Sequence, residues 1–296
     1  MTQGIIERLG FIGLGVMGEP MCRNLLAAGK WQITAFDLDP APLARLRDQG
    51  AKAAGSPEDL AGEADMIITC LPGGNEVRDV FFGSGRLIER VGSGQILVDM
   101  STSPPALMRE LAAAASERGA DFADAPIART RQAATDGSLA IMVGADQVVF
   151  DAIRPVLSVM GSDIMHCGAA GAGQVIKIMN NMVLFQTVQA LAEAVTIAEG
   201  AGVDGQTLLA TMAKGSGDSF ALRNHAMKSL LPEVFPVQAF SVRYAAKDLA
   251  YALDMAAEQG VVASGAINVA QRFEEAIAGG YGDLYFPVIR RLLKET

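Results

Sequence analysis

Between residues 9 and 18 the chain reads Leu-Gly-Phe-Ile-Gly-Leu-Gly-Val-Met-Gly, a glycine-rich turn set between an apolar run and a helical pattern. Gly13, Gly15 and Gly18 fit the spacing G-x-G-x-x-G. Each glycine meets a geometric demand of a dinucleotide-binding turn. The first permits a tight strand-to-helix reversal, the second lets a pyrophosphate approach the backbone, and the third lets the helix lie close on the strand. The helix N-terminus then offers N–H groups and a positive dipole end to phosphates. Leu14, Val16 and Met17 complete this candidate cofactor-binding loop. A second strand-like run, Gln32 to Phe36, ends at Asp37, 19 residues after Gly18. A carboxylate there accepts hydrogen bonds from the adenosine ribose and repels a 2′-phosphate, so the pattern predicts NAD as cofactor. Arg45 and Arg47 on the following helix are the counter-signal. The plain alternative is an ordinary strand–helix turn with a solvated acid.

The rest of the chain supplies the context that such a motif needs. Up to about residue 168, short apolar runs alternate with amphipathic segments. Strands are predicted at 9–12, 32–36, 66–71, 96–100, 121–125, 139–143 and 163–166. Helical patterns lie between them, with Ser56 and Ser103 as candidate N-caps. Alternation of this kind predicts an α/β fold, a Rossmann-type doubly wound and mostly parallel sheet. Beyond Gly168 the texture becomes almost wholly helical, with a long, nearly uncharged run from Val175 to about Glu199. The expected organisation is a cofactor-binding domain over 1–168 and an all-helical substrate and dimerisation domain over 169–296, with the long helix crossing between them. A length of 296 residues accommodates two domains.

Composition excludes several function classes. The net charge of −9 argues against nucleic acid, whose phosphates demand a basic footprint, and it offers no polybasic patch for a membrane. Three cysteines without a C-x-x-C pair predict reduced thiols and a cytoplasmic protein. The first eight residues lack the pattern of a secretory leader. Two histidines without ligand spacing predict no metal.

Two further features carry chemistry. Lys177 is the only charge between Val175 and Leu191. A helix apolar nearly all round is buried, and a buried ammonium is costly unless it is paired or used. Asn180 and Asn181, three and four residues on, share its helix face. A partly desolvated lysine can exchange a proton near neutral pH, and asparagines can orient a hydroxyl or carboxylate. The bland alternative is a lysine that snorkels to solvent. The second feature is Asp124-Ala-Pro-Ile-Ala-Arg129-Thr130, at the carboxyl end of a predicted strand, where α/β sheets bind ligands. An arginine fork there suits a carboxylate, phosphate or sulfonate, and Arg131 is a possible second cation. A solvated loop arginine is the alternative.

Taken together and in this order, these features resemble the β-hydroxyacid dehydrogenase family, which includes 3-hydroxyisobutyrate dehydrogenases and semialdehyde reductases. The resemblance covers essentially the whole chain. The opening Gly-Phe-Ile-Gly-Leu-Gly-Val-Met-Gly-Glu-Pro-Met is close to the family's first signature. Leu71-Pro72 with Asn75, and Ser101-Thr102, look like its two nicotinamide-side loops. The stretch from Gly171 through Lys177 to Asn181 is similar to its catalytic motif, and Lys247-Asp248-Leu249 to the segment whose lysine borders the nicotinamide. The resemblance implies Lys177 as catalytic residue. It adds Leu71, Pro72, Asn75, Thr102 and Lys247 to the cofactor-binding set. It leaves Arg129, Thr130, Asn180 and Asn181 as substrate-binding candidates. Ala128-Arg129-Thr130 departs from the family's usual Ser-Gly-Gly and resembles the turn by which sulfolactaldehyde reductases take a sulfonate.

The expected function is therefore NAD-dependent interconversion of a short acidic semialdehyde and its primary alcohol. A sulfonate substrate (3-sulfolactaldehyde) is preferred, and 3-hydroxyisobutyrate or succinic semialdehyde/4-hydroxybutyrate are the alternatives. The partner is a small anionic aldehyde or hydroxy acid, and the apolar helical half predicts a homodimer or homotetramer. An imine reductase, which often lacks the lysine, a phosphogluconate-type dehydrogenase, and a non-catalytic NAD(H)-binding regulator are the rival readings.

Overall fold

The computed structural model describes residues 6–237 and 239–293, so residues 1–5 of the N-terminal stretch read for a leader lie outside it. Contacts divide the chain into two compact units, Met1–Lys177 and Ile178–Thr296.

In the first unit the strands are β1 (Arg8–Ile12), β2 (Gln32–Phe36), β3 (Lys52–Ala53), β4 (Met66–Thr69), β5 (Ile96–Asp99), β6 (Asp121–Asp124), β7 (Ile127–Ala128), β8 (Leu139–Gly144) and β9 (Gly161–Gly168). The helices are α1 (Gly18–Ala28), α2 (Pro40–Arg47), α3 (Pro57–Glu63), α4 (Gly74–Phe82), α5 (Leu87–Arg90), α6 (Pro105–Glu117), α7 (Arg131–Thr135) and α8 (Gln147–Leu157). The sheet order is β3-β2-β1-β4-β5-β6-β8-β7, with β9 paired to β8. Pairing is parallel from β3 through β6, β8 runs antiparallel to β6 and β7, and β9 is parallel to β8. This is the doubly wound, mostly parallel sheet that the alternating pattern predicts.

Its two covered faces can be read residue by residue. Successive side chains on a strand point to opposite faces. Met66 and Ile68 accordingly join one apolar cluster while Ile67 joins another, and Ile96 and Val98 separate from Leu97 in the same way. Strands buried on both sides are continuous apolar runs, which is why β4 and β5 carry no alternation in sequence.

Helix starts show where local chemistry was legible. Ser56 caps α3, its hydroxyl accepting the Asp59 N–H at 3.1 Å. Ser103 does not cap α6; Pro104 occupies that position, and Ser103 is buried with its N–H turned to a side chain on the long helix. Two adjacent prolines set φ for the helix start without a side-chain cap. The two-residue strands β3 and β7 are too short to leave a sequence signal.

The long helix, α9, runs over Ala172–Gly200, and its first turns belong to the first unit. In the second unit follow α10 (Gly205–Met212), a π-helix (Leu222–Leu230), α11 (Val242–Glu258), α12 (Ser264–Ala278) and a 3₁₀ helix (Phe286–Leu293). Ile178, Phe185, Val188, Ala192 and Val195 form the buried stripe of α9 at three- and four-residue spacing. Ile176, Val183 and Ile197 face outward, so the helix is not enclosed on all sides within one chain. Phe185 packs edge-on against Phe273 and Phe286, with ring centres 5.4 and 5.1 Å away. The π-helix, which sequence reasoning missed, places His225 against the Tyr285 hydroxyl. Burial lowers the pKa of this imidazole to about 4, and its Nδ1 shares a hydrogen bond with the tyrosine hydroxyl whose direction follows the tautomer.

Candidate active site

The glycine-rich turn has the geometry that its spacing predicts. Gly13 sits at φ 95°, and a Cβ there would lie 2.3 Å from the Cys70 carbonyl oxygen. A Cβ on Gly18 would lie 1.9 Å from the Gly13 carbonyl, so only glycine lets α1 seat on the turn. Gly15 differs: a Cβ there meets nothing within 4 Å, so no packing inside the protein demands a glycine at this point. That is the position where a pyrophosphate would need bare backbone. The Met17 N-cap of α1 makes no side-chain capping bond, while the Glu19 N–H donates to the Gly15 carbonyl at 3.1 Å and Pro20 carries no N–H, so an outside anion would be met by the positive end of the helix dipole and the loop amides ahead of Glu19. These features fit NAD(P).

Asp37 stands at the end of β2 and accepts the N–H of Leu14, inside the turn, and that of Asp39 at 2.7 Å. The carboxylate thus shapes the loop. Arg45 is spent elsewhere: its Nε and Nη2 form a fork on Glu19 at 2.8 and 2.7 Å, and Arg23 joins the same carboxylate. Glu19 is held below the usual carboxylate range chiefly by its hydrogen bond from Arg45. A cation that could have welcomed a 2′-phosphate is therefore neutralised. NAD(H) should be preferred over NADP(H) by about 10- to 150-fold in kcat/KM, the equivalent of one charged hydrogen bond. Parallel kinetics with the two cofactors check this, and an NADP(H) preference would refute it.

Leu71 and the segment that carries Thr102 join a buried polar network. Leu71 donates its N–H to Ser101 Oγ at 2.9 Å, and that hydroxyl donates to Asp99 Oδ1 at 2.6 Å. Thr69 Oγ1 reaches the same oxygen at 2.7 Å. Thr102 lies between Ser101 and Ser103, both gripped by the Gln174 side chain: Nε2 donates to the Ser101 carbonyl at 2.8 Å, and Oε1 accepts the Ser103 N–H at 3.1 Å. Asp124 ends β6 and accepts the N–H groups of Gly171 at 2.5 Å and Gln174 at 2.8 Å, anchoring the start of α9. Burial pushes the Asp124 carboxyl up to about 7, against the pull of those two amides. Asn75, in the first turn of α4, is exposed. Lys177 follows one turn after Gln174 and is 8% exposed, which removes the snorkelling alternative.

In the second unit, Asn181 lies within the buried stripe of α9 and donates to Asp248 Oδ2 at 2.7 Å. Lys247 pairs with Asp248 Oδ1 at 3.1 Å, its ammonium over the rings of Tyr244 and Tyr251. Asn180, exposed, donates to Asn181 Oδ1 at 3.2 Å. Asp248 thus fixes two residues the sequence singled out, without having been singled out itself. A buried carboxylate on an amphipathic helix was the available signal.

Arg129 has partners within the protein. Its guanidinium donates to the Ser138 carbonyl at 2.6 Å and to Ser162 Oγ at 2.9 Å, and pairs with Asp163 at 2.7 Å. The fork expected to hold the substrate acid is committed to β9 and the start of β8. Thr130 caps α7 by accepting the Ala133 N–H at 3.5 Å, which leaves its hydroxyl proton to donate. Arg131 is exposed on the same short helix. No cluster of metal-ligating side chains and no membrane-length apolar helix occurs among the described residues.

Comparison with known proteins fits this arrangement. Residues 8–168 match the family model described as the NAD-binding domain of 6-phosphogluconate dehydrogenase. Residues 171–293 match the model for the NAD-binding region of NADP-dependent 3-hydroxyisobutyrate dehydrogenase. The 2-(hydroxymethyl)glutarate dehydrogenase of Eubacterium barkeri is 38% identical over 93% of this chain and 91% of its own. Human mitochondrial 3-hydroxyisobutyrate dehydrogenase is 33% identical over 97% and 87%. The chain belongs to the β-hydroxyacid dehydrogenase family. The solved structure of Mycobacterium tuberculosis 3-hydroxyisobutyrate dehydrogenase with L-serine superposes with a TM-score of 0.89, at 32% identity over 98% of this chain and 99% of that one. As a β-hydroxyacid dehydrogenase, this protein is an NAD(P)-dependent oxidoreductase acting on a hydroxyl group.

Proposed function

We propose that the enzyme interconverts a 2-substituted 3-hydroxypropanoate and its semialdehyde with NAD(H). The observation that carries this reading is the buried Lys177 residue, one helical turn before Asn181, whose amide is fixed by Asp248. Lys177 takes the alcohol proton during oxidation and returns a proton to the carbonyl oxygen during reduction. Asn181 and Asn180 orient the hydroxyl, and Thr130 donates to the acid group. When bound, NAD(H) supplies the two-electron chemistry. The names of the relatives support the substrate class. 2-(Hydroxymethyl)glutarate, 3-hydroxyisobutyrate and L-serine all contain HOCH₂–CH(R)–COO⁻ and differ only at R.

One observation favours a second reading. Arg129 holds φ at 88°, a left-handed conformation that costs a non-glycine residue roughly 1–2 kcal/mol. Strain of this kind is tolerated where a turn has work to do. In this reading Arg129 leaves Asp163 for a sulfonate, as the sequence alone favours. A kcat/KM series on 3-hydroxyisobutyrate, 2-(hydroxymethyl)glutarate, L-serine and 2,3-dihydroxypropane-1-sulfonate decides between them. The expected result is a preference for carboxylates, little changed in Arg129→Ala. A preference for the sulfonate of ~10-fold or more, abolished in Arg129→Ala, replaces the first reading with the second.

A further inference from the structure

Gln174 has no part in the proposed proton transfer, yet it is fully buried and engaged at both ends of its side chain. Its two hydrogen bonds fall on main-chain groups on either side of Thr102, so they fix that residue's orientation as well as its position. Its backbone N–H is held by Asp124, which also takes the N–H of Gly171. We propose that Gln174 is a positioning residue: its amide clamps the Ser101–Ser103 segment to the first turn of the helix that carries Lys177, so that the cofactor-facing loop and the proton-transferring amine keep one fixed separation. The inference rests on the functional reading above, which places the cofactor at Thr102 and proton transfer at Lys177.

The chemistry of the clamp is specific to a primary amide of this length. The Ser101 carbonyl needs a donor and the Ser103 N–H needs an acceptor. Glutamine offers both from one planar group. Methionine fills a similar volume and pairs with neither. A charged glutamate accepts from Ser103 but cannot donate to Ser101, whereas a protonated glutamate does both. Asp99 and Asp124 are the carboxyls nearest this network, and Lys177 and Arg109 are the cations on and beside the turn. Burial and the two carboxyls oppose a third negative charge, so a glutamate at 174 would be protonated more readily than one in water. Misplacing reacting groups by about 1 Å can cost ~100-fold in rate.

The test compares Gln174→Met and Gln174→Glu with the wild-type enzyme, saturated with NAD, on whichever acid of the substrate series turns over fastest. At pH 8 both variants should lose about 10- to 100-fold in kcat with little change in KM for NAD. The ratio of Gln174→Glu to wild type should recover as pH falls toward 6, while that of Gln174→Met should not. Independently of turnover, hydrogen exchange at the Ser103 amide of the cofactor-free protein should accelerate at least ~10-fold in Gln174→Met, with β4 and β5 still protected. A folded Gln174→Glu with wild-type kcat at pH 8, a deficit that ignores pH, or unchanged Ser103 exchange overturns the proposal. So does failure of both variants to fold, which would make Gln174 a folding residue. Lys177→Ala run alongside separates the two claims. If it turns over normally, the functional reading falls whatever Gln174 does. If it is inactive while Gln174→Glu is fully active, only the clamp falls.

Discussion

Lys177→Ala should lower kcat by roughly 10²–10⁴, the usual contribution of a positioned general acid–base group, and leave NADH binding nearly intact. The asymmetry follows from where the residue sits. Lys177 lies on α9, one turn after Gln174, while the glycine-rich turn, Asp37 and the Leu71 loop are built from β1, β2 and β4. Removing its amine leaves the Asp124 anchor at Gly171 and Gln174 in place, so the helix start and the Ser101–Ser103 segment should hold their positions. Lys177→Arg should not rescue turnover, because a guanidinium stays protonated throughout the working pH range and is too broad for a site built around a linear amine. Fluorescence titration with NADH and steady-state turnover, measured on the same preparations, give the two halves of the result. Near wild-type kcat in Lys177→Ala would remove the lysine from the chemistry and assign the proton transfer to another group.

Much of this site was legible in sequence because it depends on local rules. The G-x-G-x-x-G spacing encodes a backbone shape, and a lysine isolated in an apolar helix stands out against a uniform background. The strands that form the parallel sheet are continuous apolar runs, which fixed their places to within a few residues. What stayed hidden depends on tertiary contacts. Gln174 and Asp248 are ordinary polar residues until the fold brings Ser101, Ser103 and Asn181 to them. The contacts of Arg129 were hidden for the same reason. A turn position says that a side chain is near the strand ends, but only β9, returning beside β8, reveals that Ser162 and Asp163 are there to receive it. The π-helix left no periodic signal, since its pattern is neither that of an α-helix nor that of a strand.

Glu199→Ala should destabilise the helical unit by roughly 3 kcal/mol, the low end of what breaking a buried ion pair costs. Arg290 is 2% exposed on the 3₁₀ helix, among Phe286, Val288 and Ile289. Its Nη2 pairs with Glu199 at 2.6 Å at the end of α9, and its Nη1 donates to the Leu230 carbonyl at 2.6 Å at the end of the π-helix. One guanidinium therefore ties three chain segments together. Its Nε has no hydrogen-bond partner among the described residues, so the group already sits with part of its donor capacity unmet. Taking away Glu199 leaves a desolvated cation with one carbonyl and the more distant Glu233, 3.9 Å away, for compensation. The Glu199 side chain is 35% exposed, which places the expected cost at the lower end of the range. In a thermal melt this corresponds to a fall of about 6–12 °C. The double variant Glu199→Leu with Arg290→Met should recover much of the loss, because replacing both charges by apolar groups of similar volume removes the stranded cation along with its partner. A Glu199→Ala melt indistinguishable from wild type would mean that water or Glu233 already carries the charge. Recovery in the double variant, measured against both single variants, assigns the cost to the unpaired guanidinium rather than to lost packing.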